Sequence, residues 1–225
     1  MSEIVISTSN LCKTYVSAAL DPVHALKSVE IAIEEGEIVG IMGPSGCGKT
    51  TLLNCLSGLD TIDDGDILIQ GKSLSDLNDD QLSEFRAKKM GFVFQTYNLL
   101  PVLNAVENVE LPLLVSGMSA KAARNKAIEK LDEVDLVKQI HQLPGELSGG
   151  QRQRVTIARA LVNDPAIVWA DEPTGNLDSE NEIEIMNLLT QMNKENNQTF
   201  VIVTHSDYVG GRANRIINMK DGEVV

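Results

Sequence analysis

The feature that most narrows what this chain can become is the octapeptide GPSGCGKT at positions 43–50, set between an apolar run and an apolar-faced segment. It fills the pattern G-x-x-x-x-G-K-[ST], and its context is a strand, Glu37 to Met42, followed by a helix from Thr51 to Leu56. Gly43, Gly46 and Gly48 allow a bend in which successive N–H groups face inward, and the helix start adds its positive end to the same point. Pro44, Ser45 and Cys47 complete the loop, and Thr51 follows it. Such a loop cradles phosphate: Lys49 reaches the β- and γ-phosphates of a nucleotide and the Thr50 hydroxyl is placed to ligate a magnesium ion. On its own the loop fits a GTPase, a kinase or an ATPase equally well.

The rest of the pattern sets the architecture around it. Val29, Ile31 and Ile33 alternate with polar neighbours and Ile67 to Ile69 form a short apolar run closed by Gly71, which gives a β-rich first third. From Gln95 to about Leu161 the pattern turns helical, with Ala123, Ala127, Leu131 and Val134 on one face. Two further apolar runs, Ala166 to Ala170 and Thr199 to Thr204, flank a helical stretch from Glu182 to Met192. Strands alternating with helices predict a mostly parallel sheet covered on both faces. With 225 residues, 43% of them hydrophobic, one large domain with a lobe can bury its own core.

Composition removes several function classes. No run approaches the roughly 20 apolar residues of a membrane span, and the start MSEIVISTSN lacks a secretory layout, so a cytosolic chain is expected. A net charge of -13 argues against a nucleic-acid surface, which must neutralise phosphates with Lys and Arg. Cys12, Cys47 and Cys55 match no disulfide or zinc spacing and read as ordinary thiols.

Two more places carry chemistry. Ile167-Val168-Trp169-Ala170 runs into Asp171-Glu172, putting two carboxylates at the carboxyl end of a buried strand, where open α/β sheets hold ligands. One acid can hold the metal and the other can orient the attacking water, with Asp171 assigned to the first role and Glu172 to the second. Solvated acids at a strand end are the plain alternative. His205 closes the strand Phe200 to Thr204, as a γ-phosphate contact or as an ordinary hydrogen-bonded strand end. Leu147-Ser148-Gly149-Gly150-Gln151 opens a helix with Ser148 as its N-cap, a second glycine-exposed helix start suited to a phosphate.

The letters LSGGQ, between the phosphate loop and the Asp-Glu pair, resemble the signature of ABC ATPases, and the resemblance covers the whole chain. It implies an α/β fold with a P-loop NTPase core and mostly parallel sheet (1–94 and 162–225), an N-terminal antiparallel β subdomain and a helical signature subdomain (95–161). It implies ATP and Mg2+ as ligands, with Gln95 as the Q-loop glutamine serving catalysis and metal, Gly175 to Asp178 as the D-loop, His205 as the switch histidine and Tyr15 as an aromatic stacking on adenine; a half-buried strand tyrosine is the alternative at position 15. It further implies a head-to-tail homodimer in which Ser148, Gly149, Gly150 and Gln151 of one copy cap the ATP held by Lys49 of the other.

Residues 91–114, GFVFQTYNLLPVLNAVENVELPLL, are similar to the lipoprotein-release, macrolide-efflux and cell-division subgroup, whose membrane partners carry few spans and a large extracytoplasmic region. The chain is then expected on the cytoplasmic face of a membrane beside such a permease, with no nucleic acid. A division-type signalling switch, or a soluble ABC protein on ribosomes or nucleic acid, are the alternatives. Tyr97, Leu99 and Leu100 either line a groove for a helix of the partner or pack the lobe. Departures from the family pattern are few. Ser206 follows the histidine where many relatives carry aspartate, and Trp169 replaces an aliphatic residue. Cys47 stands inside the phosphate loop, so alkylation there is expected to block nucleotide. With the resemblance running to Val225, no added regulatory domain is expected.

Overall fold

The computed structural model describes residues 3–17 and 20–225. A six-stranded sheet forms the centre, in the order β11(Glu223–Val224), β10(Arg215–Lys220), β4(Ile38–Met42), β9(Thr199–Val203), β8(Ile167–Asp171), β7(Met90–Phe94). Every pairing in it is parallel except β10 with β11. A second, antiparallel sheet joins β1(Ile4–Ser17) to β2(Leu20–Val29), β3(Ala32–Glu34) and β5(Asp64–Ile69), with β6(Lys72–Ser73) on the far edge of β5. The alternation through Val29, Ile31 and Ile33 belongs to two strands: Val29 ends β2, Ile33 lies in β3, and all three side chains are buried.

Side-chain parity decides how the central sheet divides the core. Phe200, Ile202, Val168, Ala170, Val93 and Ile38 face one hydrophobic cluster, while Val201, Val203, Ile167, Trp169, Val39 and Ile41 face the other. Successive residues of a strand point to opposite faces, so strands buried on both sides must be apolar throughout. That is why these runs read as continuous apolar stretches. The first cluster lies under α3(Ala105–Val115), α4(Ala120–Asp132), α5(Gly149–Leu161) and α6(Ser179–Asn196); the second packs α1(Lys49–Leu56) and the antiparallel sheet.

Ala123, Ala127 and Leu131 are fully buried on α4, and Val134 continues the same face past its end. Asn108 on α3 is buried too, but fully satisfied: its amide donates to the carbonyls of Leu100, Leu103 and Asn104 and accepts from Leu100 N–H at 2.8 Å. It thereby pins the loop that leads into the lobe. The helix α2(Asp79–Lys89) precedes β7 and α7(Asp207–Gly210) follows β9. Among the described residues no helix is long and apolar enough to cross a membrane.

Candidate functional site

Four neighbouring parallel strands, β4, β9, β8 and β7, end on the same side of the sheet, and each delivers a residue singled out from sequence. The phosphate loop follows β4, Thr204 and His205 follow β9, Asp171 ends β8 with Glu172 just beyond it, and Gln95 follows β7. A parallel sheet makes this convergence automatic, because its carboxyl ends all lie on one edge.

The loop itself has the predicted shape. Gly48 takes φ 104° immediately before α1, and a Cβ there would lie 2.4 Å from the carbonyl oxygen of Ala25, so only glycine fits. Lys49 Nζ donates to the carbonyls of Gly43 at 2.7 Å and Pro44 at 2.9 Å, which holds the ammonium over the loop. Beside it opens a cavity of about 460 Å3 lined by Gly46, Gly48, Lys49, Thr50, Thr51 and Tyr15, among others. Cys47 is 5% exposed and belongs to the core cluster that packs α1, so its side chain turns inward from the loop.

Tyr15 stands at the rim of the cavity, 42% exposed, with its hydroxyl donating to Asp60 Oδ2 at 2.6 Å. Lys13, buried, bonds the other oxygen of Asp60 at 3.1 Å and lies 5.2 Å from the Tyr15 ring. The Tyr15 hydrogen bond, helped by Lys13 and the Thr61 N–H, holds the Asp60 carboxyl below the usual range against the opposing effect of burial. Asp60 was not visible as a site residue in the sequence, since nothing local marks an acid 45 residues away as a partner for Tyr15.

Thr50 Oγ1 lies 3.4 Å from Asp171 Oδ1, which brings together the hydroxyl and carboxylate expected to share a metal. Burial pushes the Asp171 carboxyl above its ordinary range and the charge of Glu172 adds to this, while Thr50 and Lys49 pull the other way. Thr50 Oγ1 and Asp171 Oδ1 are both hard oxygens, and among the described residues no cluster of three or more His, Cys, Asp or Glu competes as a metal site. That donor set suits magnesium, which takes one or two protein oxygens and completes its shell with water and phosphate.

Glu172 occupies φ 48°, a left-handed setting that a non-glycine residue reaches at a cost. The turn is held by its N–H donating to Val203 O at 2.9 Å and by Gly175 N–H donating to Glu172 O at 3.1 Å. His205 Nδ1 sits 2.7 Å from Glu172 Oε1, with the imidazole largely exposed and the carboxylate mostly covered. Sequence placed both residues at neighbouring strand ends but gave no sign of this contact or of the backbone setting. Gln95 joins the group through Asn176, whose amide donates to the Gln95 carbonyl at 2.8 Å.

Ser148, Gly149, Gly150 and Gln151 do not line the Lys49 cavity. They form a separate helix start, where Ser148 Oγ accepts from Gln151 N–H and Gln151 Oε1 accepts from Ser148 N–H, a reciprocal cap. Gly150 is needed for contact: a Cβ there would lie 2.1 Å from Asn181 Oδ1. Asn181 in turn donates to Asp178, the cap of α6, at 2.9 Å from both its backbone and its side chain; these bonds hold Asp178 below the usual carboxylate range. Asp178 and the signature thus meet through Asn181. Leu99 packs on the lobe core and Tyr97 lies under Arg152 beside Gly149, whereas Leu100 is exposed.

The family profile described as ABC transporter matches residues 26–175. The ABC transporter ATP-binding protein MJ0796 of Methanocaldococcus jannaschii is 47% identical over 224 residues, covering 98% of this chain and 95% of that protein. The lipoprotein-releasing system ATP-binding protein LolD of Pseudoalteromonas translucida is 45% identical over 224 residues, covering 100% of this chain and 96% of that one. A solved structure described as a dimeric post-hydrolysis state of MJ0796 bound to ADP and Pi superposes with a TM-score of 0.89 at 46% identity, covering 97% of this chain and 96% of that one. Phosphate loop, signature helix and paired acids thus stand in one fold shared along the full length of these relatives, and the chain belongs to the ABC transporter family.

Proposed function

We propose that this chain is the motor subunit of an ABC transport system of the lipoprotein-release and efflux type, closing head to tail as a homodimer around two Mg-ATP. The chain is an ABC-type ATPase by family. The observation that carries the finer reading is the convergence of Lys49, Thr50, Asp171, Glu172, His205 and Gln95 on one sheet edge, with the Ser148 helix start outside that cavity. A second phosphate cradle that its own chain does not use is supported as half of a composite site completed by a twin.

In this reading Gly43 to Thr51 and Lys49 bind the phosphates, and Tyr15 stacks on adenine. Thr50, Asp171 and Gln95 would hold magnesium, which would supply positive charge to stabilise the transferring phosphoryl group. Glu172 orients a water and takes its proton as the oxygen bonds to the γ-phosphorus; the β–γ bridging P–O bond breaks and ADP leaves with its electron pair. His205 fixes Glu172 and contacts the γ-phosphate. Asp178 and the Ser148 helix complete the opposite site across the dimer.

Residues 95–161 serve as the lobe that presents the signature, and 1–94 with 162–225 as the nucleotide-binding core. An apolar groove of about 450 Å3 where β7, α3 and α5 meet, lined by Phe92, Phe94, Leu111, Pro112 and Val115, supports docking of a helix from the membrane partner, a reading in which the chain works at the cytoplasmic face. The relative named for lipoprotein release supports this subgroup.

The test is Glu172→Gln against Lys49→Ala, followed by size-exclusion chromatography with and without ATP. The first is expected to bind ATP, lose turnover by about 100-fold or more and elute as a dimer with ATP; the second is expected to lose ATP affinity and remain a monomer. Wild-type turnover in Glu172→Gln would refute its role.

A further inference from the structure

The two loops that carry Glu172 and His205 are joined by a side chain the mechanism above does not use. Glu182, in the first turn of α6, accepts two hydrogen bonds on its Oε1: from Thr174 Oγ1 at 3.1 Å and from Ser206 Oγ at 2.9 Å. Thr174 lies two residues beyond Glu172 and Ser206 is the neighbour of His205. One carboxylate therefore ties both loops.

The residue types are matched to this task. Ser206 caps the short helix α7 by accepting from Val209 N–H, and its N–H donates to Thr204 Oγ1 at 3.0 Å. Its one hydroxyl hydrogen is then free to go to Glu182. An aspartate at 206 could cap α7 equally well, but it has no hydrogen to give and would set two carboxylates against each other. The departure at Ser206 and the presence of Glu182 thus have one explanation. Glu172 also needs outside support, because its left-handed backbone persists only where neighbouring structure fixes it.

We propose that Glu182 is a positioning residue for ATP hydrolysis, clamping the Glu172 loop to the His205 loop through Thr174 and Ser206 so that the Glu172 to His205 contact is kept. The proposal rests on the catalytic reading of Glu172 and His205. Its signature is a loss of kcat with ATP affinity preserved, since Lys49 and the cavity beside it lie elsewhere.

The experiment measures kcat and the dissociation constant for ATP in a set of variants. Glu182→Ala and Ser206→Ala are expected to lower kcat about tenfold, the equivalent of one hydrogen bond to a charged group, with ATP affinity within about twofold of wild type. Glu182→Gln keeps an accepting oxygen and is expected to retain most activity. Ser206→Asp is expected to lose at least as much as Ser206→Ala and to be rescued by adding Glu182→Gln, whose amide can donate to the new carboxylate. This pair keeps the test decisive if Glu182→Ala fails to fold. Unchanged kcat in Ser206→Asp and Ser206→Ala, alongside inactive Glu172→Gln and His205→Ala, would overturn the clamp alone. Full activity in Glu172→Gln and His205→Ala would overturn the catalytic reading and the clamp with it.

Discussion

Asp171 illustrates how a residue placed for chemistry costs the fold something. Burial and the adjacent Glu172 raise its proton affinity in the folded chain above that of the unfolded chain, whose ordinary value is 3.8. Stability therefore falls as pH rises through this window, and the cost is fully present above the raised value and absent below about pH 4. Asp171→Asn is expected to raise the thermal midpoint of the nucleotide-free protein at pH 7, with the gain vanishing near pH 3.5, while ATP hydrolysis is lost. Thermal unfolding followed at both pH values, without magnesium, checks the sign. Identity and spacing made Asp171 legible as a candidate metal ligand. The contact of Glu172 with His205 and the tether of Tyr15 to Asp60 were not, because they join residues 33 and 45 apart in sequence, and the left-handed turn at Glu172 was not, because it leans on the Val203 carbonyl of the neighbouring strand.

Elements that repeat an apolar period were legible and those that do not were missed. α5 and α6 stand where the signature cap and the Glu182 to Met192 pattern put them, although α6 runs further at both ends, from Ser179 to Asn196. α2 escaped because none of its residues is buried; its only signals are the Asn78 to Gln81 cap, acids in its first turn and bases in its last. Close packing of elements also hides in sequence. Gly91 in β7 allows α5 to approach so closely that a Cβ would lie 2.2 Å from the Ala160 carbonyl oxygen. Gly91→Ala is expected to cost about 1–3 kcal/mol, read as a lowered denaturant midpoint. At the start of α5, Ser148→Asp separates cap from ligand: aspartate caps a helix as well as serine, so the thermal midpoint should stay within about 2 °C, but its charge should abolish ATP-driven dimerisation of a Glu172→Gln background. A dimer that still forms would argue against a phosphate opposite Ser148.

At the scale of the whole molecule, a net charge of -13 per copy means that two copies repel as they close, and bound ATP adds to the repulsion. Raising salt from about 0.02 to 0.15 M shortens the screening length from roughly 20 to 8 Å and should tighten the ATP-bound Glu172→Gln dimer several-fold, read by sedimentation equilibrium. Weakening with salt would mean that complementary patches outweigh the net charge. The cradle, the strand that feeds it, the signature cap and the family can be read from the chain alone, because each is written in neighbouring residues whose backbone chemistry is local. That four strands deliver their ends to one edge, that Cys47 turns inward and that Glu182 joins two loops emerge only on folding. Those facts follow from strand order and side-chain parity, which are settled when the sheet assembles and buries one face against the lobe and the other against α1.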